Sequence, residues 1–171
     1  THHLRRLRQR AIVTLNDLGQ SVFYEMFGDP SKNEKGFEIT RLGEVCDVRD
    51  GTHDSPKYVE EGYPLLTSKN FSSGRLKYDG AKFISRADFD MINKRSKVDV
   101  GDIVMPMIGT IGSPVIIQEE PEFAIKNVAL IKFKGIKIKA EYVRTLLSGE
   151  FLTRTIAKTS RGGTQKFISL G

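Results

Sequence analysis

The run DGTHDSPKY, from Asp50 to Tyr58, brings together several side chains that could do chemistry. His53 lies between Thr52 and Asp54, so an imidazole able to take up a proton has a hydroxyl and a carboxylate as chain neighbours. Asp-Gly and Ser-Pro pairs are typical of turns, which indicates a polar surface loop and not a buried strand. Loops of this kind carry either catalytic or binding residues.

Catalysis would need partners for His53, and the sequence offers few. The other histidines, His2 and His3, stand at the start of the chain, and no cysteine or second histidine lies near His53 at metal-site spacing. No serine has the glycine pattern of a nucleophile elbow, although a Ser-His-Asp set assembled in space stays open. Local ion pairs account for the charged residues here, which are Asp47, Arg49, Asp50, Asp54 and Lys57. The loop therefore favours binding over hydrolysis.

A glycine-rich run from Ile108 to Val115, IGTIGSPV, is a second candidate for ligand contact. It lacks the Lys-Ser/Thr pair of a phosphate-binding P-loop, and the residues after it have the pattern of a strand where a dinucleotide site needs a helix. Gly109, Thr110 and Gly112 would let the backbone approach a ligand closely. A plain hairpin turn would explain the same residues without a ligand, so both interpretations stay open.

Positive charge is concentrated in the last third of the chain. The formal net charge is +6 and the pI is about 9.4. From residue 126 to the end, ten Lys or Arg stand against Glu141 and Glu150, a net of +8 that leaves −2 for the preceding residues. Phosphate polyanions are attracted to such a surface whatever their sequence. Nucleic acid is the expected partner, and a merely solvated basic face is the alternative.

Composition also speaks against a secreted or membrane protein. The single cysteine, Cys46, allows no intramolecular disulfide and follows Val45 in an apolar stretch, which fits a buried thiol in a reducing cytoplasm. No apolar run approaches the roughly 20 residues that span a bilayer, and no signal peptide opens the sequence. We therefore expect a cytoplasmic protein with no membrane partner.

The elements that would position these loops begin with a long amphipathic helix. Apolar residues recur at three- and four-residue spacing up to Met26, and Gly28 followed by Asp-Pro marks an end, so the sequence predicts a helix over 4–27. Spacing of 4, 3 and 4 is typical of a seam that pairs with another helix; the seam residues are Ala11, Leu15, Leu18 and Val22. Packing of this face on its own domain is the alternative.

Beyond a polar linker at 31–38, the apolar pattern changes to short alternating segments. The sequence predicts strands at 37–42, 64–67, 81–84, 102–107, 115–118 and 128–133, with 43–48 extending the first strand or forming a helical turn. It predicts helices at 85–92, capped by Ser85 with Asp88 at the third position, and at about 140–158. We therefore expect an α+β fold: an irregular mixed α/β domain on a curled sheet at 31–171, preceded by a long N-terminal helix at 1–30.

Five segments, taken in order, resemble the target recognition domains of type I restriction-modification specificity subunits. They are DGTHDSPKY, LLTSKNF, GDIVMPMIGTIGSPVII, AIKNVALIKF and GGTQKFISL. The helix that ends LGQSVFYEMFGDP resembles the conserved spacer helix that precedes the second such domain in those subunits. The resemblance covers nearly the whole chain, from about Leu4 to Leu170.

This resemblance implies a binding role within a larger complex. In the family, each recognition domain reads one half of a split DNA target, and conserved helices pair as an antiparallel coiled coil. The specificity subunit is not an enzyme; it docks methyltransferase subunits, which use S-adenosylmethionine, and restriction subunits, which translocate DNA with ATP and Mg²⁺. We therefore expect no cofactor in this chain, whose sequence also lacks the Asn/Asp-Pro-Pro-Tyr motif of adenine methyltransferases.

The same resemblance sets the expected partners, which are double-stranded DNA, the methyltransferase subunits and the restriction subunit. Only one recognition domain is present, so the chain would be half of a subunit or a truncated piece of one. The seam on the N-terminal helix would then lack its partner within the chain. We expect it to support self-association or docking on a methyltransferase subunit.

The polar loops and the resemblance give one set of candidate DNA contacts. The set comprises Thr52, His53, Lys57, Tyr58, Ser68, Lys69, Asn70, Gly109, Thr110, Gly112, Lys126, Asn127, Arg161, Gly162, Gly163, Thr164, Gln165 and Lys166. Lys and Arg would hold phosphates, whereas His53, Asn70 and Gln165 suit base edges, and some members would only shape the loops. A standalone nuclease or methyltransferase is the alternative function and would bind Mg²⁺ or S-adenosylmethionine by itself. A pure interaction scaffold is another, and it would show either a DNA affinity without salt dependence or no DNA affinity at all.

Overall fold

The computed structural model describes residues 2–71, 74–107 and 113–159. The helices in these residues are α1 (His2–Phe27), α2 (Leu42–Val45), α3 (Ser68–Phe71), α4 (Arg86–Ser96), α5 (Ala140–Ser148) and α6 (Glu150–Thr159). The strands are β1 (Asp47–Asp50), β2 (Tyr58–Val59), β3 (Tyr63–Leu66), β4 (Lys82–Ile84), β5 (Ile103–Pro106), β6 (Val115–Ile116), β7 (Ala124–Ile125) and β8 (Val128–Lys132). The chain divides into two compact units, Thr1–Ile39 and Thr40–Gly171, so the division falls later than the change of pattern near residue 30.

The first unit consists of α1 and the turn that follows it. The helix ends where the sequence predicts, because Gly28 takes a left-handed φ of 77° and its amide donates to the carbonyl of Tyr24 at 2.8 Å. The ammonium of Lys35 then donates to two of the last carbonyls of the helix, those of Glu25 at 3.0 Å and Met26 at 2.7 Å. Gly28 and the side chain of Lys35 therefore both cap the C-terminal end of α1.

The predicted strand at 37–42 is absent, and Asn33 supplies the physical reason. Its amide donates to the carbonyl of Phe37 at 2.7 Å and accepts from the Phe37 amide at 2.9 Å. The Asn33 side chain thus occupies both backbone hydrogen-bonding groups of Phe37, which a ladder at the start of the predicted strand would need. Residues 42–45 form the short helix α2 instead, and the Glu44 carboxylate accepts from the Thr40 hydroxyl at 2.6 Å and the Arg41 amide at 3.2 Å ahead of it.

The strands of the second unit form two four-stranded sheets. The α+β class is therefore confirmed, but there are two sheets where the sequence predicted one curled sheet. The first sheet has the order β1-β8-β5-β6 and is antiparallel throughout. The second has the order β2-β4-β3-β7, in which only the β3–β7 pair is parallel. No strand was predicted at β2, at β7 or at residues 49–50 of β1, where so few residues show no readable alternation.

Apolar side chains cover both faces of the first sheet. Alternate residues of β5 and β8 pack with Phe71 and Phe123 on one side, and the residues between them pack with Val143 and Leu147 of α5 on the other. Strands that are buried on both faces have continuous apolar runs, which explains the sequences IVMP and VALI. Because both of its faces are buried, β8 is held firmly within the sheet, and the loops at its two ends begin from fixed positions.

Two helices of the second unit differ in how well local signals predicted them. Ser85 caps α4 as predicted: its hydroxyl accepts from the Asp88 amide at 3.1 Å and donates to the Asp88 carboxylate at 2.7 Å. The single helix predicted over 140–158 is in fact two helices, because the backbone of Gly149 is extended between α5 and α6.

None of the helices formed by the described residues is long and apolar enough to cross a membrane.

Candidate nucleic-acid interface

Residues 126 and 127 connect β7 of the second sheet to β8 of the first, and two other loops meet them there. The Lys126 amide donates to the carbonyl of Leu66 at 2.8 Å, which joins it to the end of β3. Thr52 pairs with Lys126 in a parallel bridge, and its carbonyl accepts from the Asn127 amide at 3.1 Å. Ser68 closes the set, because its hydroxyl donates to the carbonyl of Asn127 at 3.2 Å.

We call this meeting point the loop junction, formed by segments 50–58, 66–70 and 124–128. Three of the five segments on which the resemblance rests therefore lie side by side in space, although nearly 60 residues of sequence separate Ser68 from Asn127. The sequence predicted Thr52, Ser68, Lys126 and Asn127 as site residues, and the structure brings them together. Their grouping follows from the strand pairing on either side of the junction.

Gly51 allows the first loop to lie directly against the junction. Its amide donates to the carbonyl of Val128 at 2.9 Å, and the next amide, that of Thr52, donates to the carbonyl of Ile125 at 3.0 Å. Gly51 is buried, and a Cβ atom added there would lie 2.7 Å from the oxygen of Ile125 and 2.9 Å from the nitrogen of Lys126. A side chain of any size would push the loop away from β7.

A polar network extends from the end of β1 across the junction. The two ring nitrogens of His53 lie 2.6 Å from a carboxylate oxygen of Asp50 and 2.8 Å from the amide oxygen of Asn127. The other carboxylate oxygen of Asp50 accepts from the Arg95 guanidinium at 2.6 Å, and Arg95 also lies within 3.3 Å of the carbonyl of Gly51. The network thus ties the loop to α4 as well as to the turn before β8.

This network raises the pKa of His53 above its ordinary value of 6.5. The hydrogen bond to Asn127 contributes most and the bond to Asp50 next, whereas slight burial and the positive charge of Arg95 act in the opposite direction. The imidazole is largely exposed, with 62% of its side chain accessible, so its charge faces solvent. The loop therefore keeps its positive charge to a higher pH than a free imidazole would.

Basic side chains surround the same loop. Lys126 donates from its ammonium to the hydroxyl of Ser55 at 2.6 Å, which bends this lysine over the first loop. Lys57 and Lys69 are exposed on the first loop and on α3. Tyr58 is exposed too, and the ammonium of Lys82 lies 4.3 Å from the centre of its ring. This arrangement offers several cations and an aromatic face to a polyanion.

Asn70 has a different environment from the other candidates. Its side chain is buried: the amide oxygen accepts from the amide and hydroxyl of Thr67, and the amide nitrogen donates to the carbonyls of Lys77 and Asp79. Two acceptor and two donor positions are all that an amide side chain has. This geometry favours a structural role that fixes the turn after β3, and the base contact that the sequence suggested stays an untested prediction.

Half of the sequence candidates fall outside the described residues, and four contributors were not among the candidates, namely Asp50, Gly51, Ser55 and Arg95. Those outside are Gly109, Thr110, Gly112, Arg161, Gly162, Gly163, Thr164, Gln165 and Lys166. Arg95 was missed because it lies in the last turn of an ordinary amphipathic helix, where no sequence signal links it to Asp50. Within the described ranges, no group of three or more His, Cys, Asp and Glu side chains has the arrangement of a metal site.

Both the sequence and the structure of this chain are similar to those of known proteins. No protein-family model matches the chain. The type I restriction enzyme MjaVIII specificity subunit of Methanocaldococcus jannaschii is 26% identical over 141 residues, which cover 77% of this chain and 32% of that protein. The chain thus spans about a third of the length of the curated relative that it matches.

Two solved structures have the same fold over most of this chain. One is a chain from a study of complex assembly and conformational transition in the type I R-M system; it matches with a TM-score of 0.58 at 20% identity, over 98% of this chain and 40% of its own. The other is the S subunit of a type I restriction-modification system from M. genitalium, with a TM-score of 0.50 at 15% identity, over 90% and 40%. The resemblance to type I specificity subunits and the α+β fold are therefore confirmed.

Proposed function

We propose that this relative of type I restriction-modification specificity subunits is a DNA target recognition module that reads one half of a split double-stranded target. The observation that carries the proposal is the loop junction, where three loops with hydroxyl, amide and cationic side chains meet on one surface. Cations hold phosphates without regard to sequence, and short polar side chains between them read base edges. In this role the chain binds and is not itself an enzyme.

The partners follow from the kind of protein that the relatives are. The chain would act with methyltransferase subunits and a restriction subunit in the cytoplasm, and S-adenosylmethionine, ATP and Mg²⁺ would bind on those subunits. The names of the relatives, a specificity subunit and chains of type I systems, support this division of labour. Reading DNA would thus be the contribution of the second unit, and the seam of α1 would make contacts to protein.

Removing two lysines of the loop junction tests the phosphate contacts. We expect the double variant Lys57→Ala/Lys126→Ala to bind a pool of random-sequence duplexes more weakly, because both ammonium groups extend from loops of the junction. The slope of log affinity against log salt should become shallower by about one for each lysine that holds a phosphate. Fluorescence anisotropy over a salt series measures both quantities.

The matched control is Lys32→Ala, which removes an exposed lysine of the first unit that pairs with Glu34 at 3.4 Å. It should bind DNA with the wild-type slope. A double variant whose slope equals that of wild type would show that neither lysine holds a phosphate, and the loop junction would then not be the DNA surface.

The seam on α1 makes a second, independent prediction. Ala11, Leu15, Leu18 and Val22 are all exposed, and 65% of the surface of Leu15 is accessible. Since an apolar stripe at this spacing is stabilised by a second helix, we expect the chain to self-associate through it. Sedimentation velocity should show a dimer that Leu15→Glu/Leu18→Glu converts to monomer.

Val13 offers a control for the charge itself, because it lies on the same helix away from the seam and is likewise exposed. The Val13→Glu variant should keep the wild-type sedimentation coefficient. A wild-type chain that stays monomeric at high concentration would contradict self-association and leave docking on a methyltransferase as the use of the seam.

A further inference from the structure

His53 makes two hydrogen bonds that a neutral imidazole cannot make together. One ring nitrogen faces a carboxylate oxygen of Asp50 at 2.6 Å, and the other faces the amide oxygen of Asn127 at 2.8 Å. Both oxygens are acceptors, whereas a neutral imidazole has a single N–H. Only the doubly protonated ring donates to both. Because the protonated ring uses both of its N–H groups in these two bonds, His53 has none left to donate to a base edge.

We propose that Asp50 and Asn127 hold His53 as an imidazolium that acts as a positioning residue of the DNA site and not as a base reader. The ring ties the first loop to the turn before β8, so its charge sets the shape of the surface that Thr52 and the lysines share. This inference rests on the proposed function for its DNA readout. Its protonation state is a property of the chain alone and is measured without DNA.

The charges around the ring agree with this assignment. Asp50, at the end of β1, shares its carboxylate between His53 and Arg95 of α4, which lies 2.6 Å from the other oxygen. Asp54 is the next residue in the chain, and the ammonium of Lys126 is turned to Ser55 at 2.6 Å. Asn127, between β7 and β8, is neutral. The His53 ring thus bonds directly to one oxygen of the Asp50 carboxylate. Arg95, the cation bound to the same carboxylate, bonds its other oxygen.

The direction of the pH dependence follows from the raised pKa of His53. Because the folded state binds the proton more tightly than the unfolded chain, the two hydrogen bonds are fully present below the ordinary pKa of about 6.5. They are lost as the pH rises through the raised value. We therefore expect the loop to be best ordered, and DNA to bind best, on the acidic side of that titration.

The backbone of Asn127 provides variants that separate this role from folding. Its φ is 54°, in the left-handed region that Asn, Asp and Gly accept more readily than other residues. Asn127→Gly keeps that conformation and removes the amide oxygen, whereas Asn127→Asp keeps an acceptor at the same place and adds a charge. Asn33, with a φ of 48° in the first unit, supplies the control Asn33→Gly.

The first experiment is a pH titration of the ring nitrogens of His53 by nitrogen-15 NMR on the whole chain. At a pH of about 6.5, where a free histidine is half protonated, we expect both nitrogens to carry protons in most wild-type molecules. The His53 pKa should rise in Asn127→Asp, fall in Asn127→Gly and stay unchanged in Asn33→Gly. A wild-type pKa no higher than that of a free histidine, or a pKa that Asn127→Gly leaves unchanged, would overturn the inference.

The second experiment measures affinity for a random-sequence duplex pool across the same pH range. Wild-type affinity should fall by about tenfold as His53 loses its proton, a change typical of one lost charged hydrogen bond. His53→Gln should bind weakly with no such step. A step that persists in His53→Gln, or a flat wild-type profile beside the expected NMR result, would contradict the positioning role. No DNA binding at any pH, with the NMR result intact, would refute the proposed function and leave the protonated network standing.

Discussion

Replacing Asp102 by alanine will lower the free energy of unfolding by about 3–5 kcal/mol. The carboxylate is 1% exposed and lies 2.6 Å from the ammonium of Lys132. It also accepts from the backbone amides of Asp99 at 2.9 Å and Phe133 at 3.3 Å. Its removal leaves three donors without this acceptor at a position that is almost closed to solvent.

Lys132 belongs to the same cluster and would lose one of its two carboxylate partners. Its ammonium donates to the Asp99 carboxylate and the Lys97 carbonyl, each at 2.8 Å. Burial works against its charge, but the bonds to Asp102 and Asp99 outweigh burial and raise the pKa of Lys132. In turn, the bond from Lys132 lowers the pKa of Asp99 below its ordinary 3.8, so the contribution of Asp99 is present above that pH and lost as the pH falls through the lowered value.

Urea unfolding followed by circular dichroism measures the effect of Asp102→Ala. The matched control removes an ion pair at the surface: Arg86 lies 2.8 Å from Asp90 on α4, and both side chains are more than half exposed. Arg86→Ala should cost much less, because solvent screens the charges of an exposed pair. A loss of similar small size for Asp102→Ala would contradict the view that this buried cluster holds the segment after α4 against β8.

Replacing Gly51 by alanine will weaken DNA binding by more than about tenfold and cost about 1–3 kcal/mol of stability. The new Cβ would meet three backbone atoms, the carbonyl oxygen and carbon of Ile125 and the nitrogen of Lys126, at 2.7, 2.8 and 2.9 Å. Backbone atoms cannot rotate aside as a side chain can. The chain must therefore move, and the hydrogen bonds that join Thr52 to Ile125 and Asn127 lengthen with it.

Gly43→Ala is the matched control for Gly51→Ala. Gly43 lies in α2, and a Cβ added there has no atom within 4 Å. Alanine at that place should stabilise the helix by up to about 1 kcal/mol and leave DNA affinity unchanged. Thermal unfolding and anisotropy on both variants check the pair. If Gly51→Ala bound DNA as well as Gly43→Ala does, close approach at the junction would have no part in recognition.

Local signals in the sequence predicted the elements that depend on neighbouring residues. The apolar spacing and Gly28 identified α1, and Ser85 with Asp88 identified the start of α4, because caps act within one turn. The strand predicted at 37–42 does not form, and the reason is equally local: the Asn33 side chain takes the backbone hydrogen bonds of Phe37. The spacing of apolar residues does not show that a side chain will compete for these bonds.

The arrangement of the site depends on pairing between distant residues, and the sequence could not show it. His53 and Asn127 were both predicted as site residues from the segments that contain them, yet their hydrogen bond spans 74 positions. Asn70 has the side chain of a base reader, and only its burial and its four internal bonds reveal a structural role. Residue type thus indicates what a group can do, and the fold decides which of its atoms are still available.

The central claim, that this chain reads a DNA sequence, is tested most directly by selection from a pool of random-sequence duplexes followed by sequencing of the bound fraction. We expect one short sequence to be enriched by the wild-type chain and by Gly43→Ala, and to be lost with Gly51→Ala. A bound fraction with the same sequence composition as the starting pool would contradict the claim, even if the chain bound DNA tightly through its positive charge.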